Sequence, residues 1–364
     1  MKRPTPNPHV MDVPGYFQGA SHFDGMTKPI KLSSNENAHG PSPAAIKAIS
    51  GAAGSAHIYP EGQATVLNEA LSKHFGIASD QIVTSTGSDD LIPTLIRAFA
   101  PPNSEVLFFE DSFAKYPIYA LCANCKPVVL PRDKNRDYRV RLNDVTAAIG
   151  PKTSILLLDN PANPTGAVLS AKEVRDLHET LPGNVILVLD EAYAEFSDLG
   201  WFGLDLARQA SNVLTVRTFS KAYGLAGLRI GWCVGAPEIL EAMRRLRASF
   251  PITVPSIDAA VAALGDQKYF EHVIRAIRQT RKSVIGRLRG HGWHIPDSHG
   301  NFFLVRFEAN PPMDFEEAQL ALEAENVLVR PLTIQGGERV LRITVGTDAE
   351  MEPVTRALTK ATTK

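Results

Sequence analysis

Cysteine is scarce in this chain, with three among 364 residues, and that excludes a scaffold stapled by disulfides. An excess of either charge is lacking as well. With 38 Lys and Arg against 39 Asp and Glu, no global field steers the protein to nucleic acid or anionic lipid. There is no run of about 18 apolar residues, so no membrane-spanning helix is expected. The N-terminal Met1-Lys2-Arg3-Pro4-Thr5-Pro6 has no apolar stretch behind it of the kind a secretory signal needs. A cytoplasmic protein without nucleic-acid or membrane partners is the expectation. Cys122 and Cys125 have redox-motif spacing, but they follow a helical pattern instead of opening a helix after a strand. They are read as reduced, packed thiols. His291, His294 and His299 lack fixed carboxylate or cysteine companions, so they are read as solvent-facing loop residues and no metal is expected. Internal repeats and low-complexity tracts are also missing.

What the chain does contain is apolar residue in quantity, 44% of the whole, enough for a large core. Strand-like runs at 82–85, 105–109, 127–130, 154–158, 185–189 and 213–216 alternate with helical patterns. That alternation predicts an α/β fold with a mainly parallel sheet wound by helices on both faces. After Pro251 and Pro255 the texture changes to a long helix over 269–289, a strand at 302–307, a helix at 315–325, a strand at 340–345 and a terminal helix. A large domain over 45–250 and a smaller α+β domain from 251 to 364 are therefore expected. Basic residues in Arg244-Arg245-Leu246-Arg247 and over 275–289 recur at helical spacing and are read as solvated helix faces. Pro4, Pro6, Pro8 and Pro14 mark an irregular N-terminal arm.

The chemistry concentrates in four places. In Thr218-Phe219-Ser220-Lys221-Ala222-Tyr223-Gly224-Leu225-Ala226-Gly227-Leu228-Arg229, a lysine stands among small residues, with an arginine two helical turns on. A lysine amine is nucleophilic near neutral pH only where burial or nearby cations disfavour its charge, and small neighbours leave room for a flat cofactor. Arg229 offers a planar fork to a phosphate. Upstream, the apolar run at 185–189 ends in Asp190, placing a carboxylate at a strand C-terminus, where open α/β sheets bind ligands. Buried there, it needs a cation, and a protonated pyridine nitrogen is one. A helix N-cap is the alternative role for Asp190. In Asp159-Asn160-Pro161-Ala162-Asn163-Pro164-Thr165-Gly166, two X-Pro steps and a glycine shape a turned loop that holds the Asn163 amide where it can donate to a phenolate oxygen. Finally, a strand ending near Ser85 feeds a helix beginning near Ser88, whose first N–H groups face any anion above it.

In this order, these motifs resemble the aspartate-aminotransferase-like superfamily of pyridoxal-phosphate enzymes, fold type I, and within it the histidinol-phosphate aminotransferase family. The likeness extends over about 16–358 and includes Leu32-Ser33-Ser34-Asn35-Glu36-Asn37, Tyr59-Pro60-Glu61 and Leu341-Arg342-Ile343-Thr344-Val345-Gly346. It implies that residues 1–44 return to the small domain. It further implies that Lys221 holds pyridoxal 5'-phosphate covalently, Asp190 pairs the pyridine nitrogen, and Asn163 with Tyr193 binds the phenolic oxygen. Gly87, Ser88, Asp89, Thr218, Ser220 and Arg229 would form the phosphate cup, and Phe113 would stack on the ring. Tyr59 would reach the cofactor phosphate of a neighbouring subunit, so a homodimer with a shared active site is implied. Arg342 would clamp a substrate carboxylate, while Arg330, Tyr16 and Asn35 would surround the substrate's distal end.

The activity implied is ping-pong transamination between an amine, histidinol phosphate, and a 2-oxo acid, 2-oxoglutarate, in histidine biosynthesis. Arg330 and Tyr16 would also suit an aromatic amino-acid aminotransferase or a decarboxylase acting on threonine phosphate. A non-catalytic pyridoxal-phosphate-binding regulator is a third reading, disfavoured because no basic stretch precedes Tyr16. Within the pattern, Ala162 stands where a second asparagine is usual, and Asn37-Ala38-His39-Gly40 departs from the usual Asn-Pro-Leu-Gly.

Overall fold

The computed structural model describes residues 3–16, 28–136, 138–200, 203–308 and 310–360. A one-turn helix α1 (Pro8–Met11) and a short strand β1 (Ile30–Lys31) precede α2 (Pro43–Ala52) and α3 (Thr65–Phe75). Then come β2 (Ile82–Ser85), α4 (Ser88–Phe99), β3 (Glu105–Phe109), α5 (Tyr116–Cys122), β4 (Lys126–Leu130), α6 (Leu142–Ala148) and β5 (Thr153–Asp159). The chain continues through α7 (Ala171–Glu179), β6 (Ile186–Asp190), α8 (Gly203–Gln209), β7 (Val213–Thr218), β8 (Gly231–Gly235) and α9 (Pro237–Leu246). It closes with α10 (Val254–Gly265), α11 (Gln267–Gly290), β9 (Phe302–Arg306), α12 (Phe315–Ala324), β10 (Val327–Leu328), β11 (Arg330–Thr333), β12 (Arg339–Thr344) and α13 (Asp348–Thr359).

Seven strands form the main sheet in the order β2-β8-β7-β6-β5-β3-β4. β3 to β7 pair in parallel, and β8 runs antiparallel between β7 and β2. The uninterrupted apolar strands follow from burial on both faces. Leu156, Leu158, Leu187 and Leu189 join one core cluster, while Ile155, Leu157, Ile186 and Val188 join the other on the opposite face. Each such side chain contributes about 1.5–3 kcal/mol when fully buried. Asp159, Asp190 and Thr218 thus leave the C-terminal ends of β5, β6 and β7 side by side.

β9, β11 and β12 build a separate antiparallel sheet, and β1 pairs with β10 in parallel. Residues 30–31, near the start of the chain, thereby meet a segment almost 300 positions later. Of the segment 1–44, residues 1–2 and 17–27 lie outside those described.

Three expectations are corrected. Several arginines read as solvated are committed to backbone carbonyls: Arg247 donates to Thr84 and Gly62, Arg244 to Asp80 and Ile82, and Arg281, 4% exposed, to Phe196 and Gly300. Helical spacing cannot distinguish a wet stripe from one that closes over loop ends. His299 is half-buried, with an Nδ1 that has no partner among the described residues, so it is not a plain solvent-facing histidine; His294 is exposed as expected but has a carboxylate companion, Glu308 at 2.8 Å. The arm is not wholly irregular, because Pro8 opens α1. Among the described residues no helix is long and apolar enough to cross a membrane, and no group of His, Cys, Asp and Glu could hold a metal.

Candidate active site

A cavity of about 520 Å³ opens over the C-terminal ends of β5, β6 and β7. It is lined by every residue the resemblance assigns to cofactor or substrate except Gly87 and Tyr59. Lys221 stands in its wall, three residues beyond β7, with Nζ donating to the Ser34 carbonyl at 3.2 Å. The lysine loop is fixed from outside: Asn37 Nδ2 donates to the carbonyls of Lys221 (3.2 Å) and Ala222 (2.9 Å). Gly224, at φ +70°, brings the loop so near the Gly40 carbonyl that a Cβ there would lie 2.4 Å from the oxygen. Burial and then the neighbouring Arg342 cation push the Lys221 amine down to about 8.

Asp190 ends β6, with Oδ2 accepting from Tyr116 Oη at 2.9 Å and Oδ1 from the Ala192 N–H at 3.2 Å. Burial, followed by the adjacent Asp159 carboxylate, raises its pKa to about 7, and the Tyr116 hydrogen bond opposes the rise. It is therefore a buried acid that a cation in the cavity would stabilise. Its side chain does not cap a helix, and the N-cap alternative for Asp190 falls away.

Tyr193 lies across from the lysine, its ring centroid 5.7 Å from Lys221 Nζ. Its hydroxyl accepts from Asn35 Nδ2 at 3.0 Å and Asn163 Nδ2 at 3.4 Å. Asn35, expected around the distal end of a substrate, is thus placed on Tyr193, close to Lys221. Asn163 Oδ1 in turn accepts from Arg342 Nη1 at 2.7 Å, and Arg342 Nη2 donates to the Ser33 carbonyl at 2.7 Å. Among the described residues, Arg342 Nε is buried without a partner. Arg330 is the cross-strand partner of Arg342. Like charges directly opposite each other are costly in a sheet, so this pairing suits an anion held between them.

At the far side, Gly87 takes φ +87° and no side chain caps the N-terminus of α4. Its first-turn N–H groups, those of Ser88 and Asp89, face the cavity without intrahelical partners. Ser220 Oγ lies 3.0 Å from Thr218 Oγ1 and 3.3 Å from Arg229 Nη1. The Asp89 carboxylate turns away to Tyr119 Oη, to Lys115 at 3.2 Å and to Arg229 at 3.8 Å. Orphan helix donors, two hydroxyls and an arginine in one concavity form a seat for a phosphate group. Close packing shapes the seat, since a Cβ on Gly231 would lie 2.5 Å from the Gly87 carbonyl carbon.

Phe113 lines the cavity, with its backbone N–H held by Asp159 Oδ2 at 3.1 Å. Tyr16 stands at the opening under Lys115, whose Nζ is 5.3 Å from the ring centroid. Tyr59 is 78% exposed and stacks on Phe250, away from this chain's own cavity. Sequence reading gave no role to Asp159, Tyr116, or the Lys31–Glu36 ion pair (2.9 Å) that lines the cavity. For Asp159 the signal was present, an acid ending an apolar run just as Asp190 does.

The parallel sheet with this lysine loop beside a strand-end aspartate is the aspartate-aminotransferase-like fold of the type I pyridoxal-phosphate enzymes. The model for class I and II aminotransferases matches residues 27–358, and the chain belongs to that family. A histidinol-phosphate aminotransferase of Rhodospirillum centenum is 38% identical over 98% of this chain and 98% of its own. One from Ruegeria pomeroyi is also 38% identical, again over 98% of each. A crystal structure of the histidinol-phosphate aminotransferase of Sinorhizobium meliloti in complex with pyridoxal-5'-phosphate superposes with a TM-score of 0.83 at 29% identity. That match covers 92% of this chain and 90% of the other.

Proposed function

We propose that this aminotransferase exchanges the amino group of histidinol phosphate with 2-oxoglutarate in histidine biosynthesis, using pyridoxal 5'-phosphate. The observation that carries the reading is one cavity where a low-pKa lysine, a buried strand-end carboxylate, a phenol held by two amides and a phosphate seat face one another. When bound, the cofactor supplies an electron sink that accepts the electrons left at the substrate Cα when its proton departs.

The chain's residues do the rest. Lys221 would hold the cofactor, and its amine would be the base that takes the substrate Cα proton, a task suited to an amine that is partly neutral near pH 7. Asp190 would hold a proton on the ring nitrogen, a cation that suits a buried carboxylate. Asn163 and Tyr193 would hydrogen-bond the phenolic oxygen, and Phe113 would cover the ring. Ser88, Asp89, Thr218, Ser220 and Arg229, with the turn at Gly87, hold the phosphate. Arg342 and Arg330 receive the anionic groups of the two substrates in turn, because a guanidinium accepts a carboxylate or a phosphate equally well. Tyr16 closes the distal side.

A homodimer accompanies this reading. Tyr59, Ile58, Val66, Leu246 and Phe250 are all large, apolar and exposed, and a second copy seated on them would bring Tyr59 to the partner's phosphate seat. The location proposed is cytoplasmic. Turnover of histidinol phosphate and of phenylalanine with 2-oxoglutarate, and carbon dioxide release from threonine phosphate, test the substrate. Histidinol phosphate is expected to have the highest kcat/KM. Preference for either of the others would move the assignment to an aromatic aminotransferase or a threonine-phosphate decarboxylase-like enzyme, and absence of any half-reaction with glutamate despite bound cofactor would favour a regulator.

A further inference from the structure

We propose that Asp159, neutralised by Arg132, is a positioning residue of this active site: it anchors the two loops bearing Phe113 and Asn163 and leaves the charge of Asp190 for a cation in the cavity. The proposal rests on the cofactor reading above.

Asp159 ends β5 as Asp190 ends β6, and the two are register partners on adjacent parallel strands. Strand spacing is about 4.8 Å, and two unpaired buried carboxylates so close would not both ionise. Arg132 eases the conflict on one side, opposing the rise that burial imposes on the Asp159 carboxyl. Its side chain is 2% exposed, with Nη2 3.0 Å from Asp159 Oδ1, and its Nε is held by the Glu110 carbonyl at 3.1 Å. Asp159 accepts three further hydrogen bonds: Ser112 Oγ at 3.0 Å, Phe113 N at 3.1 Å and Asn163 N at 2.9 Å.

A turn-forming aspartate would need only the Asn163 bond, four residues on. The Phe113 N–H comes from the other crossover, after β3, and the cation from beyond β4. One carboxylate therefore ties three segments to the end of β5, and two of them carry side chains expected on the cofactor. Asn163 passes the constraint onward to Tyr193 and Arg342.

Three variants of the full chain test this: D159A, D159N and the charge-neutral double D159N/R132Q. The readouts are the half-saturating pyridoxal-phosphate concentration of the apoprotein, the visible circular dichroism of the bound cofactor, and the pH midpoint of its visible absorbance. D159A is expected to raise the half-saturating concentration about ten-fold, the effect of losing a charge-assisted hydrogen bond, and to diminish the visible dichroism. D159N leaves the Arg132 cation uncancelled and should move the absorbance midpoint to lower pH; the double variant should return it to the wild-type value. A purely structural role would not separate those two. Should D159A fail to fold, the D159N pair decides alone. Wild-type affinity and dichroism in D159A, or one shared midpoint for D159N and the double, overturns the proposal. Wild-type protein that takes up no pyridoxal phosphate would instead sink the underlying cofactor reading, a separate result seen before any variant is compared.

Discussion

The lysine gives the sharpest prediction. Burial beside Arg342 takes the Lys221 amine from 10.5 to about 8. At pH 7 roughly one amine in ten is then neutral, against about one in three thousand for an unperturbed lysine. The pool of nucleophile is thus enlarged about 300-fold, equivalent to about 3.4 kcal/mol. The sign is that of a base with a depressed pKa: the neutral form is gained as pH rises to about 8 and is saturated above. Mixing apoprotein with pyridoxal phosphate and following the visible absorbance tests this. The loading rate should rise about ten-fold per pH step from 6 towards 8 and level off above it. Because Arg342 is the second cause of the depression, R342M should move the bend to higher pH. A rate that climbs without a bend through pH 10, or a bend unmoved in R342M, would show that burial and Arg342 do not depress this amine.

Replacing Asp190 by alanine should leave cofactor uptake detectable but lower turnover about 100- to 1,000-fold, as for loss of a preorganised electrostatic partner; unaltered kcat would make the carboxylate structural. Tyr116 donates to Asp190 and opposes its upward shift to about 7, so Y116F should raise that pKa further. The acidic limb of the pH dependence of pyridoxal-phosphate uptake by the apoprotein then moves up, and an unchanged limb would contradict the assignment. Because a Cβ on Gly231 would lie 2.5 Å from Gly87 backbone, G231A should cost about 1–3 kcal/mol in a denaturant titration and weaken cofactor binding. Normal values for both would show that the loop yields freely.

Much of this was legible because burial writes itself plainly into strands. The expected strands at 154–158 and 185–189 are β5 and β6 to within a residue, since a strand covered on both faces admits no polar interruption. β8 escaped notice because Gly-Trp-Cys-Val-Gly reads as punctuated loop, although it is the close approach to Gly87 that demands Gly231. The pairing of β1 with β10 leaves no local trace, being two residues long and set by distant packing. Lys221, Asp190 and Asn163 were recognisable from motif and strand-end position. Tyr116 was not, because a tyrosine on a helix ordinarily reads as core. Arg132 was equally hidden, since its partner Asp159 is 27 residues further along the chain.

A single amine, that of Lys221, is proposed to hold the cofactor. Reducing the wild-type holoprotein with borohydride and mapping the modified lysine by peptide mass spectrometry tests it most directly, with K221A as control. The phosphopyridoxyl mass is expected on Lys221, and K221A should lose both that mass and the visible absorbance. The mass on a different lysine, or a K221A protein that keeps its colour and turnover, would contradict the account.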